Sequence, residues 1–446
     1  MQINFDRQRN SVIVKVLFIG GLTLLLLIPM SMIEGIIGER MSLYAEARRD
    51  VANAWGAEQT IGAPILILPF QYTQERGNER VTVTDELYVL PTELEIVGDV
   101  QVQQRKRGIY EVPVYTTHLA ISGQLAPPSL PQLARDHQDL VLLWGQASIA
   151  LPLSDARAVK EPIRLQSAGA SIEFQAGSAR ATGFGPQLIA RYADLGLGAL
   201  AAPQTFSFDL VLGGTGALRF LPLGDLTRVR ITSNWPSPKF FGAYLPDERE
   251  VADAGFSASW RVLALGRGFA SSWQRLDPAP TGIAESSFGA ELITPIGVHE
   301  ATLRAAKYAV LFIGLTFIAY FMFEVFSALR LHMLQYLLIG LANCVFYMLL
   351  LALAEQIPFV VAYAVSAFAS SALISLYSGT VLGSMRRAIP VATLLASLYG
   401  YLYVTLRAED LALIFGALGL FAVLAAFMYF TRRVDWHAVS FDHVER

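Results

Sequence analysis

The stretch LFIGLTFIAYFMFEVFSALRLHMLQYLLIGLANCVFYMLLLALAE, starting at Leu311, holds two long apolar runs separated by Arg330 and His332. Each run is close to the roughly 20 residues that an α-helix needs to cross a hydrocarbon core. The first run is interrupted by Glu324, a carboxylate with only apolar neighbours for a turn on either side. Such a group is costly in lipid unless something pairs with it. This segment therefore predicts a membrane bundle and raises the question of what Glu324 meets there.

The same pattern recurs elsewhere. At 54% hydrophobic and 16% charged residues, the chain of 446 is too apolar for an ordinary soluble protein. Hydropathy predicts six spans, at 12–33, 308–329, 334–353, 359–382, 389–406 and 411–430. Lys15 lies near the end of the first, where its stem can reach water. That first block is too long, and lacks the small-residue site, for a cleaved signal peptide, so it reads as a retained anchor. An even number of spans puts both termini on one side. Arg7, Arg9, Arg330, Arg386, Arg387, Arg432 and Arg433 all fall on that side, whereas the opposite short loops carry a single basic residue, Arg407. The positive-inside rule then predicts a cytoplasmic N-terminus (1–11), a cytoplasmic tail (431–446) and export of residues 34–307.

The exported segment opens with a helical stalk, where Met41, Tyr44, Ala45, Val51, Ala52 and Trp55 recur at helical spacing. From Ile61 the period changes to two. VTVTDELYVL, ELEIVGDVQVQQ, TFSFDLVLGG and RVRITSNW alternate apolar and polar residues between turn formers. The expected fold class is thus a six-span α-helical membrane bundle (308–430 plus the anchor) with an exported all-β, antiparallel sandwich-like domain. No chemical motif stands out in it. The six histidines form no metal-binding pattern, and there is no nucleophile elbow, P-loop or dinucleotide fingerprint. The lone cysteine, Cys344, excludes a disulfide framework. A net charge of −3 without a basic cluster gives no nucleic-acid footprint. We accordingly expect no catalytic constellation, cofactor or metal, and no partner in nucleic acid. The lipid bilayer is the partner that composition itself names.

One part of the domain is unusual. SNWPSPKFFGAYLPDEREVADAGFSASWRV, from Ser233 to Val262, concentrates prolines and aromatics: Trp235, Phe240, Phe241, Tyr244 and Trp260, with Arg249 among charged neighbours. The reading taken is a Pro-braced loop whose aromatics plug one end of the sandwich. The alternative is a contact surface for a partner. This stretch, together with AWGAEQTIGAPILILPF at 54–70, the block at 307–342 and MYFTRRVDW at 428–436, resembles the CreD family, in the same order along essentially the whole chain. The resemblance implies a Gram-negative inner membrane, a periplasmic domain and a role in envelope integrity under stress. It implies no catalytic residue. In that family a histidine often follows the Trp-Pro pair, where this chain has Ser237.

In this orientation Glu324 lies about 7–8 Å from the cytoplasmic end of its span, at 1.5 Å per residue. Helical side chains lean toward the N-terminus, here deeper into the membrane, so a protein partner is expected. Arg386 or Arg387 offers the charge; Tyr336, Tyr377 and Thr380 offer hydrogen bonds. Asn343, near the middle of the next span, is expected to bond to a neighbouring helix. The small residues Ala367 and Ser371 predict a central place for the span at 359–382. The reading taken for Glu324 and Asn343 is helix–helix pairing, within a non-enzymatic protein whose domain contacts an envelope component or a membrane protein partner. The rival is a transporter of a lipid or small molecule, using a polar site around these two residues.

Overall fold

The structure is a computed structural model. It describes residues 12–432 apart from 77–78, 127–132, 134, 136, 168, 178–186, 192–202, 278–279, 294–297, 328–330 and 409–410. The chain divides into two compact units, one formed by Met1–Tyr44 with Ile296–Arg446, the other by Ala45–Pro295.

The first unit is helical. Helix α1 (Val12–Trp55) contributes its residues up to Tyr44; it is followed by α2 (Val298–Lys307), α3 (Ala309–Ser327), α4 (Met333–Ala354), α5 (Phe359–Val381), α6 (Met385–Arg407) and α7 (Ala412–Thr431). Among the described residues four helices are long and apolar enough to cross a membrane: α1, α4, α5 and α6. A fifth is added if the bent pair Glu300–Lys307 and Ala309–Met322 counts as one span. The expected span at 308–329 thus begins at a 41° bend. Leu22, Leu26, Met30, Ile33 and Ile37 form a buried stripe on α1, three or four residues apart, while Leu17, Leu24, Leu25 and Met32 remain exposed for lipid. Gly340 lets α4 approach this stripe: a Cβ there would stand 2.2 Å from Leu26 Cδ1. Helix α5 packs against both α4 and α6. Its buried face is Ala362, Ser366, Ser370, Ile374 and Ser378, whereas Ala367 and Ser371, the small pair singled out from sequence, are only half-buried.

The second unit is β-rich around one apolar core. An eight-stranded sheet runs in the spatial order Glu248–Ala252, Gly255–Leu263, Leu226–Ser233, Glu93–Arg107, Tyr110–Leu125, Gln204–Thr215, Arg164–Ser167, Ala170–Glu173. A seven-stranded and a four-stranded sheet complete the unit. Alternation buries Leu94, Ile96 and Val100 and exposes Glu93, Glu95 and Asp99, the period-two pattern of a sheet with one wet face. Among the described residues two pairings depart from the expected antiparallel arrangement: Leu226–Ser233 lies parallel to Glu93–Arg107, and Gln59–Ile61 lies parallel to Ala217–Phe220. Parallel neighbours need a long connection. Here it is supplied by other strands of the same unit, which single-segment periodicity does not reveal. The segment from Ser233 to Val262 is likewise not a loop. It forms strands Pro238–Gly242, Glu248–Ala252 and most of Gly255–Leu263.

Candidate functional site

Glu324 is the centre of the helical unit's polar chemistry. Its side chain is 8% exposed, and Lys15 Nζ of α1 donates to Oε1 in a close ion pair. The Leu331 amide donates to the same oxygen at 3.2 Å, and the Tyr336 hydroxyl of α4 donates to Oε2 at 3.3 Å. The local sequence places these donors. His332 caps α4, its Nδ1 accepting from the Leu334 amide, while its own amide donates to Gln335 Oε1. That box fixes the start of α4 and holds the preceding Leu331 amide at the carboxylate.

Tyr336 was among the donors expected from sequence; the cation was not. Arg387 donates instead to the Leu382 carbonyl at 3.2 Å, Arg386 is exposed, and Thr380 donates to Tyr377 O. Its position near the end of its span predicts that Lys15 reaches water. It is only 28% exposed, and its long stem instead carries the ammonium across to α3. A second ion pair, between Arg40 Nε of α1 and Glu355 Oε1 at the end of α4, spans 3.3 Å. Lys15 and Arg40 are separated by roughly 37 Å of helix at 1.5 Å per residue, a little more than a bilayer's apolar thickness of about 30 Å.

Asn343 lies deeper. Its Nδ2 donates to Ile339 O in its own helix at 3.3 Å, and Tyr399 of α6 donates to its Oδ1 at 3.3 Å. Tyr363 of α5 donates to the Tyr399 carbonyl at 2.6 Å, and Phe346 packs between these rings. Neither tyrosine was anticipated from sequence, because an aromatic stripe in an apolar helix reads as ordinary core.

In the β-rich unit the aromatic segment turns mostly inward. Trp260 is 2% exposed, and Phe240 meets it edge-on with centroids 5.9 Å apart. Tyr244 packs edge-on to Phe288 and donates to Gly266 O at 2.7 Å. Trp235 is half-buried, its indole donating to Ile293 O at 2.9 Å. Phe241 lies under the Arg219 guanidinium, 4.9 Å from the ring, and Arg249 is exposed on the edge strand. Sequence reasoning missed Trp55 as an anchor. Its ring is flanked by Arg105 and Lys160 at 4.6 and 4.5 Å, and its indole donates to Tyr115 O at 3.0 Å. Of the charges expected to set orientation, Arg432 is exposed, and Arg7, Arg9, Arg330 and Arg433 lie outside the described residues. Among the described residues no cluster of three or more histidine, cysteine or acidic side chains could hold a metal ion.

Apolar helices bundled around a few buried polar groups, with a large β-rich unit inserted in the chain, define a multi-pass membrane protein. The chain belongs to the CreD family: residues 11–437 match the family described as inner membrane protein CreD. It is 31% identical over 435 residues to the inner membrane protein CreD of Escherichia coli K12, covering 94% of this chain and 92% of that one. This is a multi-pass protein of a bacterial inner membrane. Among solved structures, the M1 zinc metallopeptidase of Deinococcus radiodurans aligns at 12% identity over 39% of this chain and 38% of its own, with a TM-score of 0.18. A mutant of that enzyme aligns over the same shares at 10% identity and a TM-score of 0.20. Likeness at that level carries no argument.

Proposed function

We propose that this protein supports cell-envelope integrity under stress without catalysing a reaction. In this reading six spans hold both termini in the cytoplasm, and the β-rich unit lies in the periplasm, contacting an envelope component or a membrane protein partner. The observation that supports it is the closure of Glu324. A carboxylate met by an ammonium, an amide and a phenol has its oxygens taken up by the protein, as a structural tie requires. The basic residues on one side of the spans support the orientation.

The rival reading, transport of a lipid or small molecule, draws on a polar site around Glu324 and Asn343. Glu324→Gln separates the two, because it keeps the shape and most hydrogen bonds while removing the charge. Lys15, partly exposed, can then turn to water. A structural tie predicts near-normal membrane-inserted protein and near-normal detergent resistance of the cells. Loss of resistance at an unchanged protein level would instead favour transport.

A further inference from the structure

Among the described residues three buried hydroxyls in the helical unit, those of Tyr347, Ser366 and Ser375, have no protein partner; the first two lie near Asn343 and Tyr363. For Ser366 this is unusual. Serine and threonine inside a helix commonly donate to the carbonyl one turn back, as Thr316, Ser378 and Thr405 do here. Ser366 is fully buried and makes no such bond. It shares the buried face of α5 with Tyr363 and Ser370. The Tyr347 ring, on α4, packs against Phe346 with centroids 4.8 Å apart, and the same Phe346 meets the Tyr363 and Tyr399 rings at 5.6 and 4.5 Å. Tyr399 in turn donates to Asn343. Polar groups from three helices therefore converge inside an apolar bundle, two of them unsatisfied.

Leaving a buried donor unmade costs more than a typical hydrogen bond contributes. Buried water relieves that cost where about three polar partners surround it. None of these side chains is a carboxylate, amine or guanidinium, so the place suits a neutral hydrogen-bonding occupant and not an ion. We propose that α4, α5 and α6 enclose an uncharged hydrated site, with ordered water bound to Tyr347 and Ser366 and bordered by Tyr363, Tyr399 and Asn343. The site is separate from the Lys15–Glu324 pair.

The test uses the full chain in lipid nanodiscs, exposed to X-ray-generated hydroxyl radicals in heavy-oxygen water. Tyr115 is the control, a fully buried tyrosine whose hydroxyl is bonded to Ala217 O. Bound water predicts incorporation of heavy oxygen at Tyr347 and Tyr399 several-fold faster than at Tyr115. Tyr347→Phe, which keeps the ring, supplies a second reading. If water is bound, the variant loses its bonds to the phenol and Tm falls by about 2–4 °C. In a dry site, removing an orphan hydroxyl leaves Tm unchanged or raises it. Labelling at the Tyr115 rate, or a Tm that does not fall, overturns the proposal.

Discussion

Tyr115 shows how one buried residue sets the behaviour of the β-rich unit. Its ring is fully buried, and its hydroxyl donates to Ala217 O at 2.9 Å. Burial holds the phenol well above its ordinary value of 10.0, and Tyr88 is raised likewise by burial and by its bond to Glu86. The folded state therefore keeps protons that the unfolded chain releases. Stability is complete below the unfolded value near 10.0 and is lost as pH rises from there toward the folded value. Thermal melts of the full-length protein should give a Tm insensitive to this phenol up to about pH 10, then a decline that Tyr115→Phe makes shallower. Equal declines in both proteins would show that Tyr115 is not the group responsible.

At the scale of elements, the approach of α1 to α4 depends on Gly340. A β-branched side chain there would overlap Leu26 and also Phe317, whose ring stands 2.7 Å from the place a Cβ would take. Gly340→Val should cost about 1–3 kcal/mol, measured as a lowered Tm of the purified protein. An unchanged Tm would mean that α1 does not rest on α4 at that point. Neither this contact nor the Lys15–Glu324 pair was legible in the sequence, for a shared reason. Hydropathy places a helix in the membrane, but which helix faces which is decided by side chains far apart in the chain. The helices at 333–354, 359–381 and 385–407 lie close to their expected places because their apolar length is a local property. The strand at 93–107 was legible too, since period two is local. The parallel pairing of 93–107 with 226–233 was not, because it joins segments more than a hundred residues apart. Strand formation at 238–252 was masked by prolines and charges, which suit exposed edge strands as well as loops.

For the molecule as a whole, the proposed six-span topology makes a direct forecast. Reporter fusions placed after His332 and Arg387 should read cytoplasmic, and fusions after Gln356 and Glu409 should read external. Two reversed reports would refute the arrangement, and with it the periplasmic assignment of the β-rich unit. A different consequence follows from the ion pairs at Lys15 and Arg40. They grip α1 near both ends of its apolar stretch, against α3 and the end of α4. Sliding the helix by one turn, about 5.4 Å, would strip both pairs at once and drag a charge into hydrocarbon. A rod pinned in this way cannot work as a piston. Whatever movement it passes along the membrane normal must be a swing or a twist about fixed ends.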